Sequence, residues 1–201
     1  MKPIPLFTPM LTSSRSTPFD DPDWIFELKH DGLRTLAYLE DGRCDLVSKR
    51  GVVFTRFKEL REHLVRDVVA RNAVLDGEIV CFDAKGRSSF ADLQHGEGTA
   101  YFLAFDLLWL NGRDWHGKPL LERKARLKKL LRPNPTRTLY VEHVDGTGIC
   151  LFKQACEWDL EGIVAKKKTS RYEPLRPSVW LKIKNPRYSQ KKNRPEPSQR
   201  T

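Results

Sequence analysis

Lys29 lies in the run Glu27-Leu28-Lys29-His30-Asp31-Gly32-Leu33-Arg34, a setting in which a lysine can serve as a covalent nucleophile. An amine attacks phosphorus only when deprotonated, and with an ordinary pKa near 10.4 about one lysine in 2,500 is neutral at pH 7. Nearby cations lower that pKa and raise the neutral fraction. Arg34 is close in sequence, and Lys182 and Lys184 are candidates to be close in space. Gly32 is expected to permit a tight turn that holds Lys29 exposed at a strand end. An ordinary surface turn with scattered charges would have the same composition, so this segment alone does not decide the matter.

Five further side chains have a bland reading beside a chemical one. Lys182 and Lys184 alternate with Leu181 and Ile183, which puts both on one face of a strand, where a merely solvated face would look identical. Glu78 follows the turn-like pair Asp76-Gly77 and could be no more than an exposed carboxylate. Glu161 precedes the apolar run Gly162-Ile163-Val164 and could be a helix-end charge. Phe105 belongs to an apolar stretch and would serve equally as core. The cysteines at 44, 81, 150 and 156 form no CxxC pair and no zinc spacing, so they read as reduced and mostly structural.

The elements that must position these groups alternate between the two periodicities. Residues 24–28, 34–39 and 44–48 read as short strands, the last two joined at Asp41-Gly42, a hairpin signal. Phe57, Leu60, Leu64 and Val68 recur at helical spacing, with Thr55 as the expected cap. Strands follow at 73–82 and 100–110, then an amphipathic basic helix over 120–131, a strand over 139–144, a helix over 148–158, and strands at 162–167 and 179–183. The stretch before Asp23, rich in Pro, Ser and Thr, reads as an extended, surface-lying lead-in. This is an α+β pattern of mostly antiparallel sheets flanked by helices. It predicts one domain over 1–185 and a flexible basic tail over 186–201.

The net charge of +10 points to a polyanionic partner, nucleic acid before membrane. Met1–Pro9 holds three prolines and no apolar core of a signal peptide, and no apolar run approaches membrane-spanning length. The expected location is cytoplasmic, with the nucleoid.

The octet around Lys29 resembles the ExKxDGxR motif of ATP-dependent DNA ligases. The later motifs of that family have their likenesses in the same order: Ser48-Lys49-Arg50-Gly51, Leu75-Asp76-Gly77-Glu78-Ile79-Val80, Ala104-Phe105-Asp106-Leu107-Leu108, Glu161-Gly162-Ile163-Val164-Ala165-Lys166 and Trp180-Leu181-Lys182-Ile183-Lys184. Six motifs in order are specific where each alone is weak. The chain is most similar to the ligase domain of bacterial end-joining ligases. The resemblance implies the nucleotidyltransferase fold shared by DNA ligases and mRNA capping enzymes. It also implies ATP with Mg²⁺ (or Mn²⁺), a lysyl-AMP on Lys29, and transfer of AMP to the 5′-phosphate of nicked or broken double-stranded DNA. By the same resemblance Glu27 accepts from the adenine amino group, Arg34 and Lys49 hold phosphate, Glu78 accepts from the ribose, Phe105 stacks on adenine, Glu161 holds the metal, and Lys182 and Lys184 neutralise the α-phosphate.

The chain departs from that pattern at three places. Lys49 stands where the family usually has arginine, with Arg50 beside it. Leu175-Arg176-Pro177 replaces a Gly-Arg-Ser stretch. No OB-fold domain is expected after Asn185, so a separate OB-fold or end-joining protein is the expected partner, and the first step is expected to be slow without it. Two other classes share parts of the pattern: an RNA ligase or capping-type nucleotidyltransferase, and a non-catalytic nucleic-acid-binding module. Glu27 and the WLKIK ending favour DNA ligase, and the retained Glu78 and Glu161 argue against a decayed module.

Overall fold

Alternation of apolar and polar residues builds two facing sheets. In the computed structural model, residues 3–175 and 179–190 are described. The first sheet has the order β1(Ser13–Ser14), β11(Trp180–Lys184), β10(Gly162–Lys167), β2(Asp20–Leu28), β9(Val144–Thr147). The second runs β4(Arg43–Ser48), β3(Leu33–Glu40), β5(Asn72–Cys81), β6(Ala100–Leu110), β7(Arg113–Asp114), with β8(Thr138–Tyr140) also paired to β6. Among the described residues only β1 with β11 and β6 with β8 pair in parallel. The mostly antiparallel α+β expectation therefore holds. The Asp41-Gly42 hairpin also forms, with φ positive at both residues as a two-residue turn of that kind requires.

The helices α1(Lys58–Asp67) and α3(Leu120–Leu130) cover the outer face of the second sheet through Leu60, Leu64, Leu127 and Leu130. Helix α4(Gly148–Glu157) covers the outer face of the first through Leu151 and Ala155, against Phe26 and Ile183. A third cluster, with Ile25, Val74, Leu103, Phe105 and Trp180, fills the space between the sheets. Strand periodicity then decides which polar side chains point inward with it. On β2, β10 and β11 these are Glu27, Lys166, Lys182 and Lys184; on β3 and β5 they are Arg34, Asp76 and Glu78. The register sets them side by side: Glu27 pairs across Val164 to Lys182, and Arg34 pairs with Glu78.

Three local expectations need correction, and two features lie beyond them. Thr55 does not cap α1. Phe57 occupies that position without a side-chain hydrogen bond, and its burial in the outer core fixes where the helix begins. A six-residue helix, α2(Phe90–His95), was not expected, although the Ser89 hydroxyl caps Asp92 N–H and Gly96 ends it in the left-handed conformation. The expected strand over 139–144 is two strands, because Leu139–Tyr140 pair in the second sheet and Val144 onward in the first. The lead-in does not lie merely on the surface. Ser13 and Ser14 pair with β11, Met10 is buried, and Phe7 N–H donates to the Tyr38 hydroxyl at 2.8 Å. Finally, the basic helix α3 carries two cations, Arg123 and Lys124, that are almost fully buried. The Arg176-Pro177 turn and the tail from residue 191 lie outside the described residues. Among the described residues no helix is long and apolar enough to cross a membrane.

Candidate active site

Lys29 leaves the end of β2 with its main-chain N–H donating to Gly162 carbonyl at 2.9 Å. Its ammonium donates to Glu161 Oε2 at 2.8 Å, and Lys184 reaches the other oxygen of the same carboxylate at 3.3 Å. Gly32 does not achieve this by a left-handed turn, because its φ is not positive. It is required for another reason: a Cβ there would collide with the main-chain carbonyl of Ile79 on β5. The glycine lets the nucleophile's loop lie against the second sheet.

Two adjoining hollows meet at this point. The larger, about 560 Å³, is bordered by Lys29, Glu78, Glu161, Lys182 and Lys184, with the exposed Lys49 and Arg50 at its rim. Burial, then Lys184 and Lys29, hold the Lys182 ammonium below its ordinary value. The smaller, about 90 Å³, is a slot between Glu27, Lys166, Phe105 and Trp180. Lys29, Arg34 and Glu78 border both. The nine residues proposed from the sequence are therefore all brought to one cleft.

Some do not stand as expected. The Arg34 guanidinium makes a two-pronged pair with Asp76, Nε to Oδ1 and Nη2 to Oδ2 both at 2.6 Å, and its Cζ lies 4.6 Å from the centre of the Phe105 ring. Asp76 also accepts from Tyr172 Oη at 2.5 Å, and Tyr172 accepts from Met10 N–H at 2.8 Å. Arg34 is thus fixed from behind, which the motif did not reveal. The Glu27 carboxylate is buried between two ammonium groups, Lys124 at 2.6 Å and Lys166 at 2.5 Å. Burial alone would raise its pKa, but the two lysines outweigh burial and hold it low. Sequence reasoning misses Lys124, Lys166, Asp76 and Tyr172 as members of the site. Asp76 shares a strand face with Glu78, so the period-2 pattern contained that signal. On the far side of the Lys29 loop, Tyr188 Oη donates to Asp31 Oδ2 at 3.1 Å. His30 is half-buried, and its pKa is lowered to about 4 by desolvation and then by Lys29.

Glu78 is pushed up to about 7, first by burial, with Lys29 and Arg34 opposing and Glu161 adding to it. The folded protein holds this proton to higher pH than the unfolded chain does. Its contribution therefore favours folding at pH values below the ordinary glutamate range and is lost as pH rises through about 7. We expect the unfolding midpoint of the native chain to fall between pH 5 and pH 7.5 relative to Glu78→Gln, measured by thermal scans in matched buffers. Parallel curves for the two proteins would refute this.

Glu161 and Glu78 are the carboxylates that border the larger cleft, and no group of three His, Cys, Asp or Glu able to hold a metal occurs among the described residues. One or two carboxylates completed by substrate phosphates is the donor set Mg²⁺ commonly uses. All four cysteines are free; Cys44 and Cys81 are buried and Cys150 is exposed.

Residues 9–184 match the profile of the family described as ATP dependent DNA ligase domain. Over 174 residues the chain is 34% identical to the multifunctional non-homologous end joining protein LigD of Pseudomonas aeruginosa, covering 81% of this chain but 20% of that one. The chain thus spans about a fifth of that relative's length. It is 33% identical over 191 residues to the SPbeta prophage-derived DNA ligase-like protein LigB of Bacillus subtilis, covering 91% of this chain and 69% of the relative. Among solved structures, the ligase domain of LigD from M. tuberculosis superposes with a TM-score of 0.76 at 33% identity, over 88% of this chain and 59% of that one. A mycobacterial DNA ligase D complexed with ATP and MES gives a TM-score of 0.75 at 32% identity, over 88% and 60%.

Proposed function

The chain belongs to the family of ATP-dependent DNA ligase domains, and from that membership we propose that Lys29 is the residue adenylated and that the cleft around it carries out nick sealing. The observation that carries this reading is the position of Lys29 where the narrow slot opens into the cationic cleft, its amine on Glu161. A nucleotide whose base occupies the slot has its α-phosphate beside that amine. The deprotonated Nζ attacks the α-phosphorus, a P–N bond forms, and pyrophosphate leaves. A DNA 5′-phosphate oxygen then attacks the same phosphorus and releases Lys29. The 3′-hydroxyl finally attacks the activated phosphate and expels AMP.

The other groups take supporting parts. Glu27 accepts from the adenine amino group, Phe105 offers its ring to the base, and Glu78 accepts from the ribose. Lys182 and Lys184 lie on one strand face toward the cleft, where their charge opposes that developing on the phosphoryl oxygens. Arg34, Lys49 and Arg50 are the cations available to the remaining phosphates. Glu161 is the residue that would hold Mg²⁺, which when bound supplies positive charge to the phosphates. The net charge of +10 suits nicked or broken double-stranded DNA, and an end-joining protein is the proposed partner. We place the reaction in the cytoplasm. The test is incubation with α-labelled ATP and Mg²⁺, denaturation, and mass analysis of the protein, followed by a chase with nicked DNA. An added AMP that the chase removes is expected. A chain that never carries nucleotide overturns the reading.

A further inference from the structure

We infer that Lys124, on α3 and outside the nucleotide slot, is a positioning residue that sets the choice of adenine over guanine by fixing Glu27. This rests on the reading that Glu27 meets the base.

The helix brings two neighbouring cations to the interior. Leu120, Arg123, Lys124, Leu127 and Leu130 are the buried residues of α3, at the i, i+3, i+4, i+7 spacing of an inward stripe. At the middle of that stripe stand two charges. Arg123 grips Asp106 of β6 with Nε and Nη2, each at 2.7 Å, and donates through Nη1 to Ser170 carbonyl at 2.8 Å. Lys124 passes to the other sheet, donating to Glu27 Oε1 at 2.6 Å and to Val141 carbonyl at 3.0 Å, with the Tyr140 ring 4.5 Å away. One helix turn thus joins both sheets that wall the slot.

Lys124 does not border the slot, whereas Glu27 and Lys166 do. Oε1 of Glu27 is tied from behind by Lys124 and Oε2 from the side by Lys166. Two cations on one buried carboxylate keep it ionised and stop it rotating. A carboxylate so fixed is acceptor-only. It suits the amino group of adenine and repels the carbonyl that guanine presents at the same place. Without Lys124, Lys166 alone faces Glu27, and the carboxylate is free to turn toward it or to take a proton and become a donor that guanine accepts. Both Lys124 and Glu27 are almost fully buried, so water cannot replace the lost partner.

The experiment measures covalent labelling by ATP and by GTP against nucleotide concentration. It uses the full chain and the variants Lys124→Met, Lys124→Arg, Glu27→Gln and the double Glu27→Gln/Lys124→Met. For Lys124→Met we expect half-saturation by ATP to need roughly tenfold more nucleotide and the ATP-to-GTP preference to narrow by a similar factor, with the rate at saturation changed far less. Lys124→Arg should retain most of the preference. The double variant, which leaves no unpaired carboxylate, covers the case in which Lys124→Met does not fold. It should match Glu27→Gln alone, because a residue acting through Glu27 has nothing left to act on. Unchanged preference in Lys124→Met while Glu27→Gln loses it, or a double variant markedly less selective than Glu27→Gln, overturns the inference. Unchanged preference in Glu27→Gln itself overturns the adenine reading beneath it.

Discussion

A Lys29→Ala protein is expected to take up no nucleotide from ATP, a loss of at least about a thousandfold, which is the order seen when a covalent nucleophile is deleted. Two other amines stand nearby, Lys182 and Lys184, and Lys184 even shares Glu161 with Lys29. Neither borders the narrow slot, which Lys29 does. The α-phosphorus of a nucleotide whose base lies in the slot is therefore placed for attack by Lys29, while Lys182 and Lys184, in the wider cleft, are left to its oxygens. Arginine should not restore activity, because a guanidinium stays protonated and offers no free electron pair. The fold should survive the change. The Lys29 side chain is 20% exposed, and the buried Glu161 keeps Lys184 as a partner at 3.3 Å when Lys29 is gone. The measurement is intact-protein mass after incubation with ATP, beside a thermal scan. A folded Lys29→Ala that still gains AMP refutes the assignment.

Arg123→Met should cost folding stability rather than chemistry. Both members of the Arg123–Asp106 pair are inaccessible to water, and the contact is two-pronged at 2.7 Å. Removing one partner of such a pair leaves a charge buried without compensation, at a cost of about 3–5 kcal/mol. In a domain of this size that corresponds to a fall in unfolding midpoint of roughly 6–20 °C. Adding Asp106→Leu should recover a large part of the loss, since the stranded charge goes with it, leaving the deficit from Asp106's bond to Leu107 N–H. Denaturant unfolding of the two variants decides this. A single variant within about 1 kcal/mol of the native chain would mean that water or another cation reaches Asp106.

The sequence was most legible where period and chemistry coincide. Two-residue alternation put Lys182 and Lys184 on one face and carried Asp76 along with Glu78, and the Asp41-Gly42 turn needed only local rules. Legibility failed where partners are distant in the chain. Arg123 and Lys124 look like ordinary surface cations of a basic helix. Their place on the Leu120–Leu127–Leu130 stripe is visible, but the carboxylates that make burial tolerable lie 17 and 97 residues away. Gly32 was read as a turn glycine because its role depends on a strand more than forty residues later. The run from Leu139 onward gave no hint that it changes sheets, since strand periodicity does not say which sheet a strand joins.

The pairing of β1 with β11 has a consequence for how the protein comes into being. The two strands come from opposite ends of the domain, Met10 is tied to Tyr172 across 162 residues, and Lys29 to Glu161 across 132. Closing loops that long is entropically costly and slow, and nothing nearer in sequence can substitute for the last strands. During synthesis the hairpin of β3 and β4 can form as soon as it emerges. The wall that carries Glu161, Lys182 and Lys184 follows more than 130 residues after Lys29. During synthesis Lys29 is therefore without its carboxylate until β10 has emerged, and the cleft around it should close abruptly, once β10 and β11 have both left the ribosome.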